Sequence, residues 1–430
     1  MRRCEKPAIR PEMPPASQRW QRSDSEVSSG SEYSIRKRLT CRGVPTSIRF
    51  IEFHGCRGQS AVSIETPAGR SKNQFEVSFE RVRFTKNGGR RQFIRGAAVR
   101  ADACTKESCA KLTLSFASCS FRNNLATYGG AIYLEDGELK ISESEFVSNE
   151  ADLSGGAVYV QRNHSTTITV QRSRFNMNVA RSDRRLHLSD EDELLVTSNR
   201  TLTYVGMGGA VFALDAERVT ISESNFTGNS GCRGGGAVGA VHLSAPSALA
   251  VPLVLNVTSS FFKGNRGFCS HEPRDFSTYS VNHNRNAGGA LMYETTTKAA
   301  VLWTVQRSTF ISNAAIYGGG LSVVAETLSG TEHWIRSSSF SSNSAASYGG
   351  GAFLFNAITA ATSSNFSDGR AIYGAGVAMA GGGVFSVVRD RDNPSSLSYI
   401  ERNTALYNSG ITAQGTVNLG PDPKLQKHMF

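Results

Sequence analysis

The residues with the most reactive side chains do not form a catalytic pattern. Eight cysteines stand at positions 4, 41, 56, 104, 109, 119, 232 and 269. None forms a Cys-x-x-Cys pair, and no histidine lies at zinc-finger spacing from them. Cys104 and Cys109 are close enough to close a small loop, six of the eight lie in the first 119 residues, and the even count fits an oxidising compartment. His164, His187, His242, His271, His283 and His333 are scattered, with no two within five residues, so no local metal-ligand pair is visible. Glycosidic hydrolysis needs two carboxylates across one groove, and lyase chemistry needs a basic residue near calcium-binding acids. Glu143, Glu145 and Glu223 are isolated, and Glu143 and Glu223 occupy equivalent repeat positions, as expected of an exposed face. Asp368 with Arg370, and Asp390-Arg391-Asp392, read as turn residues. Asp190-Glu191-Asp192-Glu193, just after His187, reads as a solvated loop or a short helix. Gly234-Gly235-Gly236 is not followed by Lys-Ser or Lys-Thr and so is no phosphate loop. Trp303 and Trp334 read as core or rim packing ahead of sugar-stacking platforms. No catalytic residue, cofactor or metal is expected.

The elements that would position any site are repeats. Phe-x-x-Asn recurs at Phe84–Asn87, Phe121–Asn124, Phe146–Asn149, Phe175–Asn178, Phe226–Asn229, Phe262–Asn265, Phe310–Asn313 and Phe340–Asn343, with a degenerate copy at Phe366-Ser367-Asp368-Gly369. Gly-Gly-Ala followed by apolar residues begins at Gly129, Gly155, Gly208, Gly235, Gly288 and Gly350; Gly318-Gly319-Gly320-Leu321 and Gly381-Gly382-Gly383-Val384 are variants. The motifs alternate from Phe121 onward, with tightest Phe-to-Phe spacings of 25, 26, 29 and 30 residues. Longer spacings hold insertions, notably 181–205 and 266–286.

Leu139–Phe146 and Val219–Phe226 begin with apolar–polar alternation of period two, the mark of a half-buried strand. A Ser-rich bend follows, and the glycine pair suits a corner needing positive φ or close backbone approach. One coil of two or three short strands cannot bury its apolar edge alone. Stacked coils at about 4.8 Å bury it and align equivalent residues in ladders. The expected architecture is an all-β, right-handed parallel β-helix of eight to nine coils. Its phenylalanines stack inside, and its asparagine amides hydrogen-bond at a turn. Residues 1–45 read as a disordered basic leader, 46–83 as a cap or first coils, 84–402 as the repeats, and 403–430 as a cap and tail.

The net charge of +11 belongs to the N-terminal quarter. Residues 1–111 hold 23 Lys or Arg against 11 Asp or Glu, and the remainder 24 against 25. Arg36-Lys37-Arg38 and Arg90-Arg91 are too short for a nucleic-acid footprint, so no nucleic-acid partner is expected. No apolar run of signal-peptide or membrane-span length is seen. Asn163, Asn199, Asn225, Asn256 and Asn365 open Asn-x-Ser/Thr sequons and are candidate glycan acceptors. Asn225 and Asn365 precede an inward Phe, so alternation turns them outward.

The paired motifs, from Phe84 to Val387, resemble the repeats of the chlamydial polymorphic outer membrane proteins, on a β-helix of the pectin lyase-like kind. That resemblance implies a passenger displayed at the cell surface or outer membrane and acting in adhesion. Members of that family also carry a signal peptide and a membrane barrel, neither of which is read here; a truncated or misassigned start is expected. The partner expected is a cell-surface protein or polysaccharide, with end-to-end self-association as a further expectation. A polysaccharide lyase or glycoside hydrolase, and a purely structural spacer, are the alternatives.

Overall fold

The computed structural model describes residues 34–35, 39–42, 46–65, 74–89, 93–102, 112–181, 206–242, 253–268, 287–295, 301–325, 333–388, 397–414 and 416–419. Among them there is no helix, and the assigned strand pairings are parallel. The chain winds as a right-handed parallel β-helix.

The coil from 132 to 157 shows the plan. Ile132–Ser142 is one strand, with Gly137 near its middle. A corner at Glu143 and Ser144 leads into Glu145–Val147, and a second at Ser148 and Asn149 leads into Glu150–Ser154. Gly155 and Gly156 then turn the chain back to Ala157 and the next coil, where Val158 pairs with Ile132. Three ladders result. The Gly ladder holds the strands after the glycine corner (Ile132–Glu135 here). The aliphatic ladder holds those around Leu139–Ser142. The Phe ladder holds the three-residue strands centred on Phe146. The Phe ladder has twelve strands, from Ser34–Ile35 to Tyr399–Glu401. At about 4.8 Å per step that is a stack roughly 50 Å long.

The eight or nine coils counted from Phe-x-x-Asn are therefore too few. Phe53-x-x-Cys56 and Ile400-x-x-Asn403 occupy the same ladder without the full motif. Ser34–Ile35 and Leu39–Arg42 pair in the ladders although they fall inside the stretch read as a leader; residues 1–33 lie outside the described residues. The glycine variant at 381–383 is also misplaced. Val377 pairs with Ala352, so Gly374-Ala375-Gly376 is the equivalent corner, and Gly381 turns the chain from the Gly ladder to the aliphatic ladder.

The core is one column of stacked rings and four columns of mostly aliphatic side chains, passing through Ile132, Leu134, Leu139 and Ile141. Phe53, Phe84, Phe121, Phe146, Phe175, Phe226, Phe262, Phe310, Phe340 and Phe366 stack in order. Neighbouring centroids lie 4.4 to 5.0 Å apart, with planes within 8°. All ten are buried, each worth roughly 1.5–3 kcal/mol of transfer free energy.

Beside this stack runs the asparagine ladder. Asn149 Nδ2 donates to Asn178 Oδ1 at 3.0 Å and to Phe121 O at 3.0 Å, and its backbone N–H donates to Asn178 Oδ1 at 3.0 Å. The pattern repeats through Asn87, Asn124, Asn178, Asn229, Asn265 and Asn313, and ends on Asn343. Both amide protons and the oxygen's two acceptor positions are used, so a fully buried amide carries no unmade bond.

A serine column missed as a ladder lies at the preceding corner. Ser144, Ser173, Ser224, Ser260, Ser308, Ser338, Ser364 and Ser398 are buried. Each hydroxyl from Ser173 to Ser398 accepts the backbone N–H of the serine one coil earlier, as Ser173 Oγ does from Ser144 N at 3.1 Å. Cys119 stands in this column and Cys56 in the asparagine column, where Cys56 N donates to Asn87 Oδ1.

The corners flanking the Phe strand hold left-handed residues that are mostly not glycine. Three positions before the ring these include Arg81, Glu143, Arg172, Glu223 and Arg307, all with φ between 45° and 54°. The strand pairing on both sides enforces a backbone that would cost an L-residue about 1–2 kcal/mol. At the glycine corner the two glycines differ. Gly155 supplies φ +67°, whereas a Cβ on Gly156 would lie 2.0 Å from Gly209 O in the next coil.

Candidate functional site

Two features of the Gly ladder make a candidate site, its outer face and the corner at which it ends. Its outward residues form two columns. In one, Tyr133, Tyr159, Phe212, Met292 and Phe353 are buried although they point away from the core. Side chains just before the glycine corner, among them Tyr128, Met207, Ala287 and Tyr317, fold over them as a second apolar layer. The other column carries charge at the N-terminal end. Glu65, Asp102 and Glu135 are register partners on three successive coils.

These carboxylates lie among arginines and aromatic rings. Arg100 binds Asp102 at 2.6 Å, Arg95 Nη1 lies 3.6 Å from Glu135, and the Tyr133 hydroxyl donates to Glu135 at 3.3 Å. The Arg95 guanidinium lies over both Phe93 and Tyr133, 5.4 and 5.3 Å from the ring centroids. Burial works against its charge, but Tyr133, Glu135 and Asp102 outweigh that, and its pKa stands above the ordinary arginine value. Burial likewise pushes the Tyr133 and Tyr159 phenols well up, so both remain protonated. The result is a mixed-charge surface of acids and arginines laid over a buried aromatic layer. Two of its carboxylates are held by arginine. A sequence scan for adjacent acids misses this set, because Glu65, Asp102 and Glu135 are more than thirty residues apart; only the ladder register aligns them.

The second feature is where the chain interrupts its coils. Between a Gly strand and the following aliphatic strand the described chain stops at Glu65, Asp102, His242, Thr295 and Ala325 and resumes at 74, 112, 253, 301 and 333, so five segments of different length, all outside the described residues, fall at one corner; in Val158–Gln171 the strand runs straight through it. That corner directly follows the column of Glu65, Asp102 and Glu135. The insertions singled out in the sequence, 181–205 and 266–286, enter instead before the glycine corner, and their residues 182–205 and 269–286 lie outside the described residues.

The remaining candidates separate cleanly. Glu143 is exposed, and its carboxylate takes Arg172 at 3.1 Å; Arg172 stands between it and Glu223, two coils away. Asp368 pairs through both oxygens with Arg402, whose guanidinium hydrogen bonds hold its pKa below the usual carboxylate value. Asp390, Arg391, Asp392, His187, His271, His283 and the acidic run at 190–193 lie outside the described residues, as do the side chain of His164, Cys4, Cys104, Cys109 and Cys269.

His242 Nδ1 lies 3.2 Å from Asp215, both nearly buried at the corner that follows the Gly strands. Trp303 is buried inside the core against His333, while Trp334 is half-buried under Arg336 at 4.1 Å. Among the described cysteines Cys41, Cys56 and Cys119 are buried, and Cys232 is disulfide-bonded. Of the sequons, Asn225 is exposed, whereas Asn256 and Asn365 are half-buried with their Oδ1 atoms enclosed. Asn199 and the side chain of Asn163 lie outside the described residues. Among the described residues no group of three or more His, Cys, Asp or Glu is placed to hold a metal, and no helix is long and apolar enough to cross a membrane.

Residues 118–135 match the Chlamydia polymorphic membrane protein repeat. The matched segment runs from the Ser118 corner through Phe121 and Asn124 to the Gly129-Gly130-Ala131 turn and on to Glu135, so this repeat is one Phe strand, its asparagine and the following Gly strand. The chain thus carries a repeat of this type within a parallel β-helix. No curated protein and no solved structure matches it.

Proposed function

We propose that this chain is a surface-displayed, non-catalytic interaction protein. It takes a cell-surface protein or polysaccharide on the loop-bearing corner and the adjoining face of Glu65, Arg95, Asp102 and Glu135. The observation that carries the reading is that five chain segments of varied length fall between strands at one corner of an otherwise regular solenoid. Loops gathered on one side of a repeat stack are the usual way such folds build a binding surface. The polymorphic membrane protein repeat at 118–135 supports placement at a cell surface or outer membrane.

The aligned carboxylates Glu65, Asp102 and Glu135 favour one second reading, a glycoside hydrolase or lyase on the same face. Retaining hydrolysis uses carboxyl groups about 5–5.5 Å apart, near the rise between coils. One experiment separates the two. Purified protein is incubated with mixed polysaccharides and with cells, and both saturable binding and new reducing ends are measured. Saturable binding that drops when residues 103–111 and 243–252 are replaced by short Gly-Ser links supports the interaction reading. Turnover, or binding indifferent to those loops, overturns it. Failure to bind anything would leave the spacer reading. End-to-end association is proposed separately. Tyr399, Leu406 and Tyr407 are 46, 77 and 57 % exposed in the last described coil, and sedimentation across a concentration series tests it.

A further inference from the structure

The described sequons differ in a way their sequences do not show. Asn225, Asn256 and Asn365 all sit on strands. Asn256 and Asn365 are half-buried with their amide oxygens enclosed, so less of either amide faces solvent than at Asn225. Asn225 is exposed on the outer face of the Phe ladder. Its Oδ1 accepts the hydroxyl of its own sequon threonine, Thr227, at 2.8 Å, which fixes the amide with Nδ2 as the remaining polar atom.

The surroundings of Asn225 form a shelf. Its register partner in the next coil is Phe261, a half-exposed ring on an outer face otherwise made mostly of polar and charged side chains. A sugar ring needs an apolar ring for its C–H face, and Phe261 offers one directly beside Asn225. Independently, Cys232 is disulfide-bonded, which points to an oxidising compartment of the kind where sequons meet glycosylation machinery.

We propose that Asn225 is an N-glycosylation site whose first sugar packs on the shelf formed by the Phe261 ring. In the transfer step Asn225 Nδ2 bonds to the anomeric carbon of a lipid-pyrophosphate-linked oligosaccharide. The bond from that carbon to the pyrophosphate oxygen breaks, the lipid pyrophosphate leaves with the electron pair, and the amide proton passes to a base of the transferase. The modification does not depend on the adhesion reading.

The test routes the full chain into the secretory pathway of cultured cells. The secreted protein is treated with peptide-N-glycosidase in heavy-oxygen water, and its peptides are mapped by mass spectrometry. The expected result is heavy aspartate at position 225, unmodified Asn256 and Asn365, and loss of the label in Thr227→Ala. A second measurement compares melting of glycosylated and deglycosylated protein. Phe261→Ser should abolish a gap of a few degrees between them while leaving occupancy intact. Unlabelled Asn225 in folded secreted protein, or label at Asn256 or Asn365, overturns the site. A melting gap that survives Phe261→Ser overturns the shelf.

Discussion

Replacing Asn178 by alanine tests whether the buried asparagine column holds the coils together. The side chain makes four hydrogen bonds. Nδ2 donates to Phe146 O at 3.0 Å and to Asn229 Oδ1 at 2.9 Å, and Oδ1 accepts from the Asn149 backbone N and from Asn149 Nδ2, both at 3.0 Å. A typical net contribution is about 1 kcal/mol per bond. The substitution also leaves the Asn149 N–H and the Phe146 carbonyl without these partners in a site closed to water. The expected loss of unfolding free energy is therefore about 4–6 kcal/mol. Asn343 is an internal control. Its side chain makes three such bonds, because Gly369 follows it in the column. Asn343→Ala should cost about 1 kcal/mol less than Asn178→Ala. Urea unfolding followed by far-ultraviolet circular dichroism reads both. A loss below about 1.5 kcal/mol for Asn178→Ala, or equal losses for the two, would refute the claim that the ladder rather than local turn geometry stabilises this corner.

Other outcomes follow from the same geometry. Gly156→Ala should prevent the coil from closing and yield insoluble or molten protein. Gly264→Ala, in open space with φ +63°, should cost only about 1 kcal/mol in thermal melts. Ser224→Ala removes the bonds to Ser222 O and from Ser173 N and should cost about 1–2 kcal/mol by denaturant titration. Burial pushes the Cys41 thiol up to about 12 and those of Cys56 and Cys119 to about 11. Iodoacetamide at neutral pH should therefore spare all three in native protein and label them in urea. Burial lowers the His333 pKa to about 4. Because this lies below the unfolded value, the neutral ring's contribution is whole above about pH 6.5 and is lost as pH falls through the folded pKa. The loss approaches roughly 3 kcal/mol and should be absent in His333→Phe.

Several assignments were readable because their signal is local. Phe146 and Asn149 lie three residues apart on one short strand and its corner, and that interval survives whatever is inserted elsewhere in the coil. Gly155-Gly156-Ala157 likewise advertises a corner. What escaped are positions where a ladder accepts a different residue. Cys119 fills a serine place and Cys56 an asparagine place, because each column needs a small side chain there and the backbone N–H still finds its partner in the next coil. Gly381–Gly383 imitates the motif by composition, yet the pairing of Val377 with Ala352 puts the true corner seven residues earlier. Trp303, read only as packing of some kind, proves to be core because Leu255 and His333 occupy its column above and below.

The sequence by itself determined the coil, since alternation, the glycine corner and the Phe-x-x-Asn strand are encoded within single repeats, and a face that cannot be buried alone must stack. Tertiary structure decided register. Loop lengths between coils vary, so spacing cannot say which outward residues become neighbours. Only the parallel pairing brings Glu65, Asp102 and Glu135 into one column, Phe261 beside Asn225, and five separate interstrand segments to the same corner.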